Sequence, residues 1–218
     1  MKKLQIYVTS CNASSEANKY TSERKNNLIG YNKKLKQYFF KRSKEVIELE
    51  YGVIIFDEKF ANFLIKMVTL SAQRAILITN EKSYVGQERD VDGLKSAIYN
   101  LVNKYANLYD CQKNCKKSCN DIFDFFTDLF IRLLKNQIYL NGNKRTSIIS
   151  LRSLLHYYGY YLYWSNNDKY IYQKTYEQKL ISFIKKLENK TGKFFEKERC
   201  EIKAWIYSNT TIALNWRD

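Results

Sequence analysis

Between Ile122 and Leu134 the apolar residues Ile122, Phe126, Leu129, Phe130, Leu133 and Leu134 recur at spacings of three and four. That period keeps one helical face apolar throughout and predicts a core helix. Asp57 stands as an N-cap before Phe60, Phe63, Leu64 and Met67, and Asp92 before Leu94, Ala97, Ile98 and Leu101, so two further helices are expected upstream. Downstream, Ile148, Ile149, Leu151, Leu154 and Leu155 predict a helix that stops at Gly159. A last amphipathic helix is expected to turn Leu180, Ile184 and Leu187 inward.

Strand patterns are few. The opening MKKLQIYV reads as a first strand, VIELEYGVIIF as a strand or small hairpin around Gly52, and YYLYW as a brief extended piece. Residues 1–45 are otherwise polar and basic, and a short helix is expected there. The expectation is a mainly α fold with one main core: residues 1–50 as an N-terminal, strand-containing extension and residues 51–218 as a helical domain.

Composition narrows the class. With 218 residues, 45% hydrophobic and 16% aromatic, the chain has apolar surface enough for a full core and is not of the disordered class. No apolar run approaches the roughly 20 residues of a membrane span, and the apolar part of the N-terminus is shorter than the roughly 7 to 15 residues of a signal sequence. A VTSC sequence ending at Cys11 resembles a lipoprotein cleavage box, but a strand is the expected form. The net charge of +15 suits a polyanion partner. The lysines are scattered, however, and form no one-sided stripe, which argues against a dedicated nucleic-acid surface. Five cysteines, an odd number, fit reduced thiols in the cytoplasm better than a disulfide framework. Cys111, Cys115 and Cys119 would share one helix face, with neither a His nor a fourth thiol at zinc spacing.

The candidate chemistry lies in NQIYLNGNKRTSIISL, Asn136 to Leu151. Gly142 and Asn143 join one predicted helix to the next, where backbone N–H groups lack intrahelical partners and favour an anion. Lys144 and Arg145 add two cations, and a guanidinium can hold two phosphate oxygens. An ordinary turn with an Asn N-cap and two solvated side chains explains the same residues.

Gln137 to Thr146, Gln-Ile-Tyr-Leu-Asn-Gly-Asn-Lys-Arg-Thr, resembles the signature of the Fic and Doc (death-on-curing) family: His, any, Phe, any, an acid or Asn, Gly or Ala, Asn, then Lys-Arg-Thr in the Doc branch. The segments DVDGLKSAIYN and LLHYYGYYL also look like family segments, and the likeness spans roughly residues 55–190. It implies a compact helical fold and transfer of phosphate, or AMP, from ATP or another nucleotide to a protein hydroxyl. Elongation factor Tu is the implied target, and a small antitoxin the implied partner. Gly142, Asn143, Lys144 and Arg145 would hold phosphates, Asn141 would assist Mg²⁺, and Tyr139 would anchor the loop. Tyr105 to Asn120 would form a mobile flap that docks the target.

Two residues depart from the family pattern. Asn141 offers Mg²⁺ an uncharged oxygen, a weaker ligand than a carboxylate. Gln137 stands where the family has its general base, and a neutral amide takes no proton; losing such a base typically costs about 10² to 10⁴ in rate. His156, the only histidine, lies about 11 residues beyond Arg145, roughly 16 Å along a helix, and is expected to be partly buried and uninvolved. An impaired or inactive transferase is therefore expected. The alternative is a noncatalytic protein that uses the basic nest for an acidic or phosphorylated partner.

Overall fold

A computed structural model describes residues 2–9, 19–20, 29–32, 34–35, 37–41, 43–77, 89, 92–114, 121–162, 178, 181–187 and 192–213. Helices predominate: α1 Glu58–Leu77, α2 Gly93–Asn114, α3 Ile122–Lys135, α4 Asn143–Tyr157 and α5 Gly192–Ser208, with residues 181–187 also helical. Strands β1 Lys2–Val8, β2 Ile29–Asn32, β3 Gln37–Phe40 and β4 Val46–Val53 form one sheet in the order β1-β4-β3-β2. A second sheet pairs β5 Tyr160–Leu162 with β6 Thr210–Ile212.

Helix α3 is the centre of the molecule. Twelve of its 14 residues are buried: Ile122, Phe126, Leu129, Phe130 and Leu133 fill the core on one side, and Asp124, Asp128, Arg132 and Lys135 form a polar stripe on the other. It packs on α2, α4 and α5, while α1 packs on α2 and α4. Phe123, Phe125, Phe126 and Phe130 are almost completely covered, and each burial stabilises the fold by about 1.5–3 kcal/mol. Phe125 meets Phe56, Phe60 and Tyr105, and Phe123 meets Tyr20, Tyr160 and Tyr207, through ring pairs 5.1–5.4 Å apart.

The N-terminal strands belong to this same core. Strand β4 runs through residue 50, and Leu4, Ile6 and Val8 of β1 join the buried cluster of the helices. Strand β1 pairs in parallel with β4, Leu4 opposite Leu49 and Ile6 opposite Tyr51. On its other side Tyr7 N–H donates to the Tyr158 carbonyl, and the Tyr160 hydroxyl donates to the Tyr7 carbonyl. Gly159 makes that contact possible. Its φ is +86°, and a Cβ there would lie 2.3 Å from the Gln5 carbonyl oxygen, so no other residue fits without displacing β1.

Several expectations change. Within the basic N-terminal stretch, residues 19–20 are helical, and Ile29–Asn32 and Gln37–Phe40 form the antiparallel β2–β3 pair, Tyr31 opposite Tyr38. The aromatic run Tyr38, Phe39 and Phe40 suits a half-buried strand. β4 is one strand through Gly52, not a hairpin. The helix at residues 181–187 buries Leu187 and partly buries Ile184, but it is followed by α5, so it is not the last. His156 is exposed on the outer side of α4 rather than partly buried. Leu180, Cys11, Cys115 and Cys119 lie outside the described residues.

Candidate functional site

Helix α3 ends at Lys135, and its C-cap Asn136 donates its N–H back to the Arg132 carbonyl. Gln137 follows with φ of +43°, a left-handed conformation usual for the residue after a helix but unusual for one with a long side chain. Its side chain is exposed at the head of the loop. Ile138 and Tyr139 then turn inward and are buried, while Leu140 and Asn141 face out. Arg89 N–H donates to the Ile138 carbonyl and ties the loop to the chain ahead of α2.

A side-chain clamp fixes the loop's shape. Asn143 Oδ1 accepts the Tyr139 N–H at 2.8 Å, and Asn143 Nδ2 donates to the Tyr139 carbonyl at 2.6 Å. This imitates a two-bond strand pair within five residues, and only an amide, with one donor and one acceptor side by side, can do it. Asn141 Oδ1 accepts the Gly142 N–H at 2.7 Å, so the oxygen assigned to Mg²⁺ is engaged within the loop.

Gly142 is the N-cap of α4 with φ of +81° and supplies no side-chain cap. The first intrahelical bond runs from Thr146 N–H to the Gly142 carbonyl. The first turn contains no acid; it contains Lys144 and Arg145, both half-buried. Two cations at the positive end of a helix dipole each cost roughly 0.3–1 kcal/mol when nothing offsets them. An anion at this position would reverse the sign of that term and satisfy the first-turn N–H groups. The structure thus gathers Gln137, Tyr139, Asn141, Gly142, Asn143, Lys144 and Arg145 into one α3–α4 loop.

The expected flap is not seen at Tyr105 to Asn114. Helix α2 continues through these residues to Asn114, and Tyr105 is buried against Asp128. The polar sequence hid the helix because its buried residue packs on a carboxylate. Residues 115–120 lie outside the described residues.

The sequence reading missed a cluster between α2, α3 and α5. Asp128 accepts Lys104 Nζ at 2.8 Å, the Tyr105 hydroxyl at 3.0 Å and Arg199 Nε at 2.5 Å. Asp124 accepts Arg199 Nη2 at 3.0 Å and Lys203 Nζ at 2.7 Å, and Lys203 also reaches Asp121 at 3.1 Å. Burial opposes ionisation of Asp124, but Lys203, the Asp121 backbone N–H and Arg199 outweigh it and hold its carboxyl below the ordinary value. Burial and then the charge of Asp124 push Asp121 up. Burial, with the Asp128 charge, raises the Tyr105 phenol far out of the physiological range, so Tyr105 acts as a donor only. Three carboxylates meet three cations with every strong acceptor engaged, which makes this a fastening of α5 rather than a vacant site. The spacing of Asp121, Asp124 and Asp128 along one helix face, opposite Arg199 and Lys203 four apart, was its visible signal.

No helix among the described residues is long and apolar enough to cross a membrane. No family model, curated protein or solved structure matches the chain.

Proposed function

We propose that the chain is a Doc-type member of the Fic superfamily that binds the phosphates of a nucleotide at the start of α4 and has lost most of its transferase activity. The observation that carries this reading is the uncapped, acid-free N-terminus of α4 with Lys144 and Arg145 in its first turn, held in shape by the Asn143 clamp on Tyr139. Asn143, Lys144 and Arg145 bind phosphate, and Gly142 joins them when its N–H leaves Asn141 Oδ1. Tyr139 anchors the loop. Asn141 contributes to Mg²⁺ only if its bond to Gly142 opens. Gln137 occupies the position of the base and is the cause of the impairment. The reading carries with it ATP or a similar nucleotide, a protein target such as elongation factor Tu, and control by a small antitoxin.

A second reading, a noncatalytic protein that docks an acidic or phosphorylated partner on the same nest, draws on the neutral, solvent-facing Gln137. Ligand-induced stabilisation separates the two. Mg²⁺ and ATP at about 100 times Kd raise the stability by about 2.7 kcal/mol by mass action, visible as a higher unfolding midpoint that Arg145→Ala abolishes. An unchanged midpoint at millimolar ATP, with a shift on adding a phosphopeptide, would favour the docking protein.

A further inference from the structure

Helix α1 presents to solvent a stripe in which cations and apolar residues alternate. Lys59, Phe63, Lys66, Leu70 and Arg74 follow one another at spacings of four and three, which sets all five on one helical face. Lys59, Lys66, Leu70 and Arg74 are exposed and Phe63 is half-buried, whereas Phe60, Leu64, Val68 and Ala75 on the opposite side are buried. An ordinary solvent-facing helix pairs its charges with opposite ones a turn away. Here no acid stands three or four residues from Lys59, Lys66 or Arg74, and Leu70, between two of these cations, is 41% exposed.

Helix α4 continues the surface. The Phe63 ring lies 4.7 Å from that of Tyr157, itself 49% exposed, and α4 carries Lys144, Arg145 and Arg152 with no acid in its 15 residues. The only acid of α1 is Glu58, its first residue. Asp57 before it is engaged as the cap, its carboxylate accepting the Phe60 N–H. The whole chain has 22 acids to 37 cations, so composition alone does not explain two packed helices with six cations and one acid. The fold gathers onto one layer cations that look scattered along the sequence.

We propose that the exposed stripe of α1, with the adjoining Tyr157, is a docking face for an anionic phospholipid surface. Helix α1 lies in the plane of the bilayer, with Leu70 and Tyr157 at the boundary of the acyl chains and Lys59, Lys66 and Arg74 against the headgroup phosphates. The charge selects a polyanion, and the apolar members of the stripe select lipid among polyanions. An aliphatic side chain such as Leu70 has nothing to stack on a base, so a nucleic-acid strand would use the cations and leave Leu70 idle. Each cation brought to an anionic surface strengthens binding about fivefold, so the three of the stripe give a preference of about 10² over a neutral membrane. The net charge of +15 adds attraction at longer range. Neither the stripe nor Tyr157 belongs to the α3–α4 loop, and the face stands whether or not that loop binds nucleotide.

Co-sedimentation of the whole chain with vesicles of phosphatidylcholine alone, and with vesicles of about one-third phosphatidylserine, tests the proposal at physiological salt. The anionic vesicles are expected to bind at least about tenfold tighter. Lys66→Glu is expected to weaken that binding by about fivefold or more and Leu70→Gln by about threefold, with unfolding midpoints unchanged because both positions are exposed. Lys197→Glu makes the same change of charge at an exposed position of α5, which packs on α3, and is expected to leave binding nearly unaltered. A loss with Lys197→Glu equal to that with Lys66→Glu would mean attraction by net charge alone and would overturn the proposal. So would binding indifferent to Leu70→Gln, or equal binding of the two kinds of vesicle. A single-stranded oligonucleotide or an acidic peptide that binds and is lost in Lys66→Glu, while vesicles stay unbound, would assign the face to that partner instead.

Discussion

Two consecutive helices begin in opposite ways. Helix α3 starts on a complete capping box, in which the Asp121 side chain accepts the Asp124 N–H and the Asp124 side chain accepts the Asp121 N–H. Its acids complement the helix dipole, and Arg199, Lys203 and Lys104 complement the acids. Helix α4 starts on a glycine, with no cap and with two cations where the dipole favours an anion. One end is closed by its own side chains, and the other has no side-chain cap and carries two cations in its first turn. On the proposed function, stability belongs to one helix end and binding to the other, and substitutions at the two should separate cleanly.

The largest effect is expected at the satisfied end. Asp128→Ala leaves Arg199 with Asp124 alone and takes from Lys104 and the Tyr105 hydroxyl the carboxylate they donate to, and removing one member of a buried pair costs about 3–5 kcal/mol. Urea unfolding should show this loss with nucleotide binding unaltered. An Asp128→Ala chain of unchanged midpoint would mean that the cluster does not fasten α5.

At the open end the largest expected effect is on rate. Gln137→His places an imidazole with an ordinary pKa near 6.5 where the proposed function puts the base, and on that reading should raise transfer from labelled ATP to a protein target by about 10². The backbone is compatible, because histidine is among the residues enriched at positive φ and Gln137 already has φ of +43°. Equal labelling by both forms, strong or absent, would dissociate Gln137 from the loss of activity.

Acid titration sharpens the contrast further. Asp124 ionises more readily folded than unfolded, so the stability it contributes is complete above its ordinary value of 3.8 and declines as pH falls through its lower folded value. Asp121 has the opposite sign: its folded value is raised, so stability falls as pH rises from 3.8 through that value. Unfolding midpoints measured against pH should lose the acid limb in Asp124→Asn and become flatter above pH 3.8 in Asp121→Asn. The smallest effect belongs to Lys144→Glu. Reversing the charge at the start of α4 should stabilise the unliganded chain by about 0.3–1 kcal/mol while removing the stabilisation by Mg²⁺ and ATP. A Lys144→Glu chain still protected by ATP would place the phosphates elsewhere.

Periodicity disclosed the helices whose packing is apolar. Ile122 to Leu134 and Ile148 to Leu155 each repeat at three and four, and both lie in helices whose inner faces are buried. The second half of α2 and the whole of α5 were illegible for a common reason: Lys104, Tyr105, Arg199 and Lys203 hold their helices by contacts to carboxylates, and a charged residue on an inner face looks in sequence like a solvated one. In the loop, the residue types at Gly142 and Asn143 announced a turn, but not that the Asn143 amide would clasp the Tyr139 backbone. That clamp spans only four positions, but it forms only because the backbone between them turns back on itself.

Strand β1 has its two neighbours at very different distances along the chain. One edge finds β4 some 45 residues later, Leu4 opposite Leu49. The other waits for Tyr160, whose hydroxyl reaches the Tyr7 carbonyl across a separation of 153 residues. During synthesis at about 5–20 residues per second, roughly 8–30 s pass between the emergence of Tyr7 and that of its last partner. In that interval the nascent chain has an apolar strand with one edge bare, so a ribosome-associated holdase has its best opportunity there, and the newborn protein is most prone to aggregate.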